Sequence, residues 1–261
     1  MSLSSIQPYI KDGTFVFTLT SNGYKYFTLN LLEHLKKAGV PWKLCVVCAD
    51  KAAYQFFRGQ TISVIQAVTL FPDTGPNISP FGTMNFQRLN RLKLDLLATF
   101  TSYPEIRHGI YMDGDIAVYN DFVPDILERL ELGPALHIQC DEGHRESCSS
   151  ESSTCTNACT GFIAWSHGLS PSLFQVNKYL SLWRAQPEDQ VFVNARIRDE
   201  GVAFQTLPRD LYPNGQFARL YSPDSPLKSV AKILHYNYLV GLDKQRRMKI
   251  NGDWLSALSQ I

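Results

Sequence analysis

Thr14-Phe-Val-Phe-Thr-Leu-Thr20, then Ser21-Asn-Gly23, then Tyr24-Lys-Tyr-Phe-Thr-Leu-Asn-Leu-Leu-Glu-His-Leu-Lys-Lys-Ala38 is the stretch that sets the fold class. Its first seven residues are β-branched, aromatic or aliphatic and predict a strand. Ser21-Asn22-Gly23 breaks that strand. Tyr24, Phe27, Leu31, Leu35 and Ala38 then recur at helical spacing, with Glu33, Lys36 and Lys37 off that face. Gly39 ends the helix and Pro41 prevents its continuation. Leu44–Ala49 reads as a second strand, Ala52–Phe57 as a short helix and Thr61–Gln66 as a third strand. Strand, helix, strand, helix, strand at this spacing predicts an α/β fold, a mostly parallel central sheet with helices on its faces.

Composition agrees with one compact unit. The chain has 261 residues and 29.5 kDa, against a soft expectation of about 150 residues per domain. With 44% hydrophobic and 19% charged residues it is an ordinary globular sequence. The net charge of +1 supplies no field that would draw it onto nucleic acid or an anionic membrane. The apolar runs are too short to span a bilayer, and Met1–Lys11 lacks the basic start and apolar core of a signal peptide. A cytoplasmic protein is expected on these grounds, with an anchor upstream of Met1 left open.

Further along, Phe71–Pro80 reads as a loop, Asn85–Ser102 as the strongest helix and Gly109–Met112 as a short apolar strand. Ile116–Tyr119 continues extended, Asp125–Leu130 is a short helix and Ala135–Cys140 a strand. The polar, Ser-rich stretch Asp141–Asn157 is expected to be mobile and dispensable for folding. Thr160–Trp165 reads as a strand, Pro171–Arg184 and Pro187–Arg196 as helices, and Val202–Leu207 and Ala231–Leu234 as late strands.

Asp113-Gly114-Asp115 is the sharpest chemical signal. Two carboxylates two residues apart at the end of an apolar strand are costly to bury unpaired. A divalent cation such as Mn2+ or Mg2+ resolves that cost, since it takes oxygen ligands and keeps positions open for phosphates. A surface turn is the bland alternative, because Asp-Gly is common in turns; the apolar Ile110, Met112, Ile116 and Val118 around it argue against an exposed tip. Lys93 is the second signal. It falls inside the helical arc of Leu89, Leu92, Leu96, Leu97 and Phe100. There an ammonium needs an anion, either a substrate phosphate or an aspartate, unless it snorkels at the core edge. An apolar isostere at 93 is therefore expected to keep or raise stability while weakening substrate binding. Arg91 and Asp95 form an i,i+4 pair of the solvated kind.

His235 follows an apolar strand, so it sits at a strand end as the aspartates do, and an imidazole can complete a mixed metal site. Gly241 permits close backbone approach and Lys244 can meet phosphate. Since only polar neighbours flank Lys244, the arm from His235 to Lys244 is expected to order when metal and a phosphate ligand bind. Asp189-Gln190 opens a helix after Pro187, where capping is the default role of a carboxylate. Of the six cysteines, Cys45 and Cys48 fall on opposite faces of one strand and read as core thiols. Cys140, Cys148, Cys155 and Cys159 read as reduced loop thiols, with disulfides second and zinc a further option whose usual spacings are absent.

In order along the chain stand Ser21-Asn-Gly-Tyr24, Lys93, Tyr111-Met-Asp-Gly-Asp115, Thr160-Gly-Phe162, Asp189-Gln-Val-Phe-Val-Asn194, Leu207-Pro with Tyr212-Pro-Asn-Gly215, and His235-Tyr-Asn237 with Gly241 and Lys244. Together they resemble the nucleotide-diphospho-sugar transferase family that includes the plant rhamnogalacturonan xylosyltransferases, over Thr14 to Trp254. The resemblance implies a GT-A glycosyltransferase fold in one domain, with 13–120 holding the nucleotide and 121–261 the donor sugar and acceptor. It implies a metal-dependent, retaining transfer from a nucleotide-diphosphate sugar, a UDP-sugar above all, to a glycan or other hydroxyl acceptor. It implies Asp113, Asp115 and His235 as ligands of Mn2+ or Mg2+. Thr20, Asn22 and Tyr24 would hold the nucleoside, and Lys93, Asp113, Asn237, Gly241 and Lys244 would attend the donor. Asp189 and Gln190 would stand at the reacting sugar. One departure is plain: where the family usually carries Asn before Thr-Gly-Phe, this chain carries Cys159, with Asn157 two residues earlier. That leaves the donor sugar open. Two other readings compete. A haloacid-dehalogenase-type phosphatase also uses Asp-x-Asp, but normally follows it with Thr or Val where Ala117 stands, and its motif opens the domain. A nucleotide-sugar-binding protein without catalysis is the other.

Overall fold

The computed structural model describes residues 3–58, 63–66, 79–141, 157–215 and 220–255. After a short helix α1 (Leu3–Ile6) come β1 (Thr14–Thr20), α2 (Lys25–Lys37), β2 (Leu44–Cys48), α3 (Lys51–Arg58), β3 (Ser63–Gln66) and α4 (Met84–Thr101). The chain continues through β4 (His108–Met112), β5 (Ile116–Val118), α5 (Val123–Leu132), β6 (Leu136–Cys140) and β7 (Ala158–Ser166). It ends with α6 (Leu180–Ala185), α7 (Asp189–Glu200), β8 (Gln205–Thr206), α8 (Leu227–Val230), β9 (Ile233–His235) and α9 (Gly241–Ile250).

Seven strands form one sheet in the order β3-β2-β1-β4-β7-β6-β8, and β5 pairs with β9 in a small second sheet. Neighbours run parallel except at β7, which is antiparallel to both β4 and β6. The mostly parallel sheet expected from the sequence is therefore present. β1, β2 and β4 are buried on both faces and read as near-continuous apolar runs for that reason.

Strand parity sorts the core into two layers. Phe15, Phe17, Cys45 and Tyr111 point to the side covered by Leu94, Leu97 and Phe100 of α4 and Phe192 of α7. Val16, Cys48, Ile110 and Met112 point to the other side, onto Leu31 and Leu35 of α2 and Ile126 of α5. Cys45 and Cys48 thus lie in opposite layers as free thiols. The same alternation carries Asp113 out on the Tyr111 side, toward α4.

Three elements differ from the sequence reading. Over Pro171–Arg184 the chain makes 3-10 turns at Pro171–Phe174 and Val176–Tyr179 before α6 begins, because Gln175 at φ −77° and ψ 84° leaves the helical region. The strand expected at Val202–Leu207 shrinks to Gln205–Thr206. Helix α9 was not anticipated; Met248 is its buried apolar residue, too weak a periodic signal to read. The expected loop at Phe71–Pro80 falls, except for its last two residues, outside the described residues, as do residues 142–156 of the stretch expected to be mobile.

The cysteine reading needs correction. Cys140, at the end of β6, is disulfide-bonded rather than reduced; residue spacing alone does not tell a bonded cysteine from a free one. Cys159 is not a loop thiol either: it is free and buried within β7. Cys148 and Cys155 lie outside the described residues.

Candidate active site

The site forms where β4 ends. The chain leaves the sheet at Met112, turns through Asp113-Gly114-Asp115 and re-enters extended structure in β5. Antiparallel pairing of β5 with β9 sets Ile116 opposite His235 and so brings the imidazole beside Asp115. Two glycines make this crowding feasible. A Cβ on Gly114 would lie 2.7 Å from Thr28 Oγ1, and one on Gly161 would lie 1.9 Å from Cε1 of His235. Gly161 lies in β7 where that strand's pairing with β6 is interrupted. Register jumps from Ile138–Ile163 to Gln139–Cys159, leaving Thr160-Gly161-Phe162 out of step with β6. A bulge of this kind re-aims side chains: the Gly161 carbonyl accepts from the Asp113 amide at 2.7 Å, and the Thr160 hydroxyl donates to Asp189 Oδ2 at 2.7 Å.

Ligand atoms of Asp113, Asp115 and His235 lie within 4.8 Å of one another. His235 Nε2 is buried and makes no hydrogen bond; carboxylate oxygens of Asp115 and Asp113 lie 3.4 and 3.7 Å away. Both aspartates also have protein cations. Lys93 Nζ sits 3.3 Å from Asp113 Oδ1 and 2.7 Å from Asp189 Oδ2, and Lys244 pairs with Asp115. The Tyr111 hydroxyl donates to Asp113, and its ring lies 4.8 Å under the Lys93 ammonium.

These contacts set the protonation. Burial pushes the Asp113 carboxyl up and Asp115 adds to that, with Lys93 opposing. Burial acts on Asp115 too, but Lys244 and His235 outweigh it and hold that carboxyl well below its ordinary range. Asp189 is likewise held low by Lys93, Thr160 and the Gln190 amide against its burial. Burial alone would lower His235, yet Asp115 lifts it to about 10. Lys93 stays charged because Asp113 and Asp189 overcome its desolvation.

No known protein family matches the chain by sequence pattern, and no curated protein matches it. Solved structures do. The galactosyltransferase LgtC, solved in complex with donor and acceptor sugar analogues, superposes with a TM-score of 0.54 at 14% identity, over 91% of this chain and 95% of that one. Mouse xyloside xylosyltransferase 1 gives 0.53 at 12% identity over 86% and 98% of the two chains. The glycosyltransferase GlyE of Streptococcus pneumoniae TIGR4 gives 0.54 at 16%, over 94% of this chain and 62% of that one. The chain has the GT-A glycosyltransferase fold.

The sequence resemblance implied a divalent cation, and the donor set suits one. Two carboxylates and an imidazole whose buried nitrogen has no hydrogen-bond partner are a mixed oxygen–nitrogen set that could hold a divalent cation.

Most residues singled out from the sequence meet in one cavity. Tyr24, Lys93, Asp113, Asp115, Asp189, Gln190, His235, Asn237, Gly241 and Lys244 all line it. Thr20 and Asn22 do not. The Thr20 hydroxyl is turned inward to Thr28 at 2.9 Å; the Asn22 backbone N–H donates to Asp50 Oδ2 at 2.8 Å while its side-chain Oδ1 accepts from Lys25 Nζ at 2.9 Å. Lys244 corrects two expectations. It belongs to a formed helix, and Asp115 holds it in the cleft without any diphosphate. Asp189 is not the cap of α7, a position that Glu188 holds; it is the helix's first residue, 9% exposed and paired with Lys93.

Sequence reasoning missed Tyr111, Gln139 and Asp141. Asp141 gathers Gln190 Nε2 at 2.9 Å, Asn214 Nδ2 at 3.1 Å and Asn237 Nδ2 at 2.9 Å. Tyr111 had a readable signal, since it shares a strand face with Asp113. Asp141 had none, as its partners come from distant parts of the chain. No helix among the described residues is long and apolar enough to cross a membrane.

Proposed function

We propose that this protein is a metal-dependent glycosyltransferase that moves a sugar, with retention of configuration, from a UDP-sugar to a glycan or other hydroxyl acceptor. The reading keeps the resemblance to the nucleotide-diphospho-sugar transferases of the plant xylosyltransferase kind. The observation that carries it is the convergence of Asp113, Asp115 and His235 at the end of β4, in a cavity that also holds Lys93, Asp189 and Lys244. Residues 13–120 serve the nucleotide and 121–261 the sugar and acceptor.

Asp113, Asp115 and His235 would hold Mn2+ or Mg2+. When bound, the cation supplies positive charge that offsets the charge growing on the departing diphosphate. The chain's own residues do the rest. Lys244 leaves Asp115 and meets the diphosphate as a point charge. Tyr24, aromatic and lining the cavity, offers its face to the base. Asp189, fixed by Lys93 and Thr160, keeps a full negative charge beside the sugar and stabilises positive charge developing there. Gln190, anchored by Asp141 and Asn157, orients the acceptor.

Incubation with a panel of nucleotide sugars and Mn2+, read as free nucleotide diphosphate, tests the proposal. Metal-dependent release from at least one UDP-sugar is expected. Tight UDP binding with no release from any donor would favour the inactive binding protein.

Lys244 makes a second, separable prediction. Because it neutralises Asp115 in the unliganded state, it competes with the metal; because it then turns to the diphosphate, it helps the nucleotide. Lys244→Ala should bind Mn2+ alone more tightly, by roughly threefold to tenfold, and bind UDP in the presence of Mn2+ more weakly by roughly 10- to 150-fold, a charge-assisted contact of about 1.5–3 kcal/mol being lost. Calorimetric titration of each ligand separates the two effects. Weakening of both would show that the Asp115 pairing helps to build the metal site.

A further inference from the structure

We propose that Gln139 is a positioning residue for His235, fixing which ring nitrogen is offered to Asp113 and Asp115. This rests on the metal reading above. Gln139 is 1% exposed and lies in β6, at the point where register with β7 breaks. Its Nε2 donates to the carbonyl of Tyr212 at 3.0 Å and to that of Pro213 at 3.4 Å. Carbonyl oxygens only accept, so the amide nitrogen must face them and Oε1 must face the other way. Oε1 lies 3.1 Å from His235 Nδ1. Being itself an acceptor, it requires the proton on Nδ1.

The consequence is a defined ring. Whenever the imidazole is neutral, its lone pair is on Nε2, the nitrogen that lacks a hydrogen bond and faces the two carboxylates. A metal entering there displaces the proton from Nε2 alone, the nitrogen that already faces both carboxylates. Nδ1 has one other neighbour, Cys159 Sγ at 3.7 Å, which itself accepts from Asn237 Nδ2 at 3.5 Å. A thiol at that distance is a weak partner and leaves the orienting role to the amide. On its Cε1 edge the ring lies over Gly161, where no side chain fits. Orientation and tautomer are therefore set by separate groups, Gly161 by space and Gln139 by hydrogen bonding. Outer partners of a metal-bound His typically change metal affinity by roughly 10- to 100-fold when removed.

The test compares wild type, Gln139→Leu and Gln139→Glu in two measurements. One is Mn2+ affinity from the free-Mn2+ signal in electron paramagnetic resonance. The other is the proton state of His235 nitrogens by NMR of 15N-histidine-labelled protein, metal-free and with diamagnetic Mg2+. Wild type should show Nδ1 protonated in both states. Gln139→Leu should bind Mn2+ about 10- to 100-fold more weakly. Gln139→Glu should recover affinity to within about threefold, because a neutral carboxyl can donate to Tyr212 and accept from Nδ1. If Gln139→Leu does not fold, the Glu variant and the wild-type proton state still decide. Unchanged Mn2+ affinity in the Leu variant, or an unprotonated Nδ1 in Mg2+-bound wild type, overturns the role of Gln139. Failure of wild type to bind Mn2+ at all overturns the metal reading instead, and the inference with it.

Discussion

Lys93→Met should destabilise the metal-free protein by about 3–5 kcal/mol at pH 7, the usual consequence of removing one partner of a buried ion pair. This reverses the expectation from sequence, where an apolar isostere suited the arc of Leu89, Leu92, Leu96 and Phe100. The arc is real, but the anion Lys93 meets is the protein's own. Its ammonium is 5% exposed and lies against both Asp189 and Asp113. Methionine would leave two carboxylates in the cavity wall facing each other without their shared cation. The pH dependence follows from Asp189, whose carboxyl the folded protein holds below its ordinary value. A depressed carboxyl adds stability that is present above the unfolded pKa of about 3.9 and lost as pH falls through the folded value. Wild type has that contribution at pH 7 and the variant does not, so the gap between them should persist down to about pH 4 and narrow below it. Urea unfolding at about pH 7 and about pH 3 measures it. Equal midpoints at pH 7 would mean that water, not Lys93, solvates the pair. Mn2+ should narrow the gap as well, since it supplies Asp113 with another cation.

Much of the frame was legible because it depends on local period. β1, α2 and β2 announced themselves by alternation and helical spacing, and the same parity that puts Cys45 and Cys48 in separate layers carries Asp113 to the α4 side. Lys93 was conspicuous as a charge inside an apolar arc, a local conflict of the kind that functional sites tolerate. What stayed hidden was whatever depends on register between distant segments. Gln139 meets His235 across 96 residues, and Asp141 meets Asn237 across the same separation. Nothing in their own neighbourhoods marks either residue. Lys244 was placed near phosphate by resemblance, yet its helix was invisible because α9 buries little apolar surface.

Asp115→Asn should lower Mn2+ affinity by roughly 100-fold or more, beyond what loss of a supporting residue does, and abolish metal-dependent UDP binding while the protein stays folded. The sequence alone suggested that this carboxylate opposes folding unless a cation is bound. In the structure it has cations already, since Lys244 pairs with it and His235 lies 3.4 Å away. The variant therefore loses attraction rather than relief from repulsion, and the loss is bounded by how freely its partners readjust. Lys244 is on α9 and can return to water. His235 is 1% exposed and cannot, but it can give up its proton. Asp115 lifts that imidazole to about 10. A raised His contributes stability in full below its unfolded pKa of about 6.5, and that contribution disappears as pH rises through the folded value. Wild type and Asp115→Asn should hence differ most below pH 6.5 and converge toward pH 10, the opposite trend to Lys93→Met. Thermal unfolding across pH 6 to 10 reads this slope, and Mn2+ titration at pH 7 reads the ligand role. The pairing with Lys244 tells the two apart: if Asp115 acted on the metal only through that lysine, Lys244→Ala would weaken Mn2+ as Asp115→Asn does. Opposite shifts in the two variants, tighter for Lys244→Ala and weaker for Asp115→Asn, identify Asp115 as a ligand and Lys244 as the cation it must release.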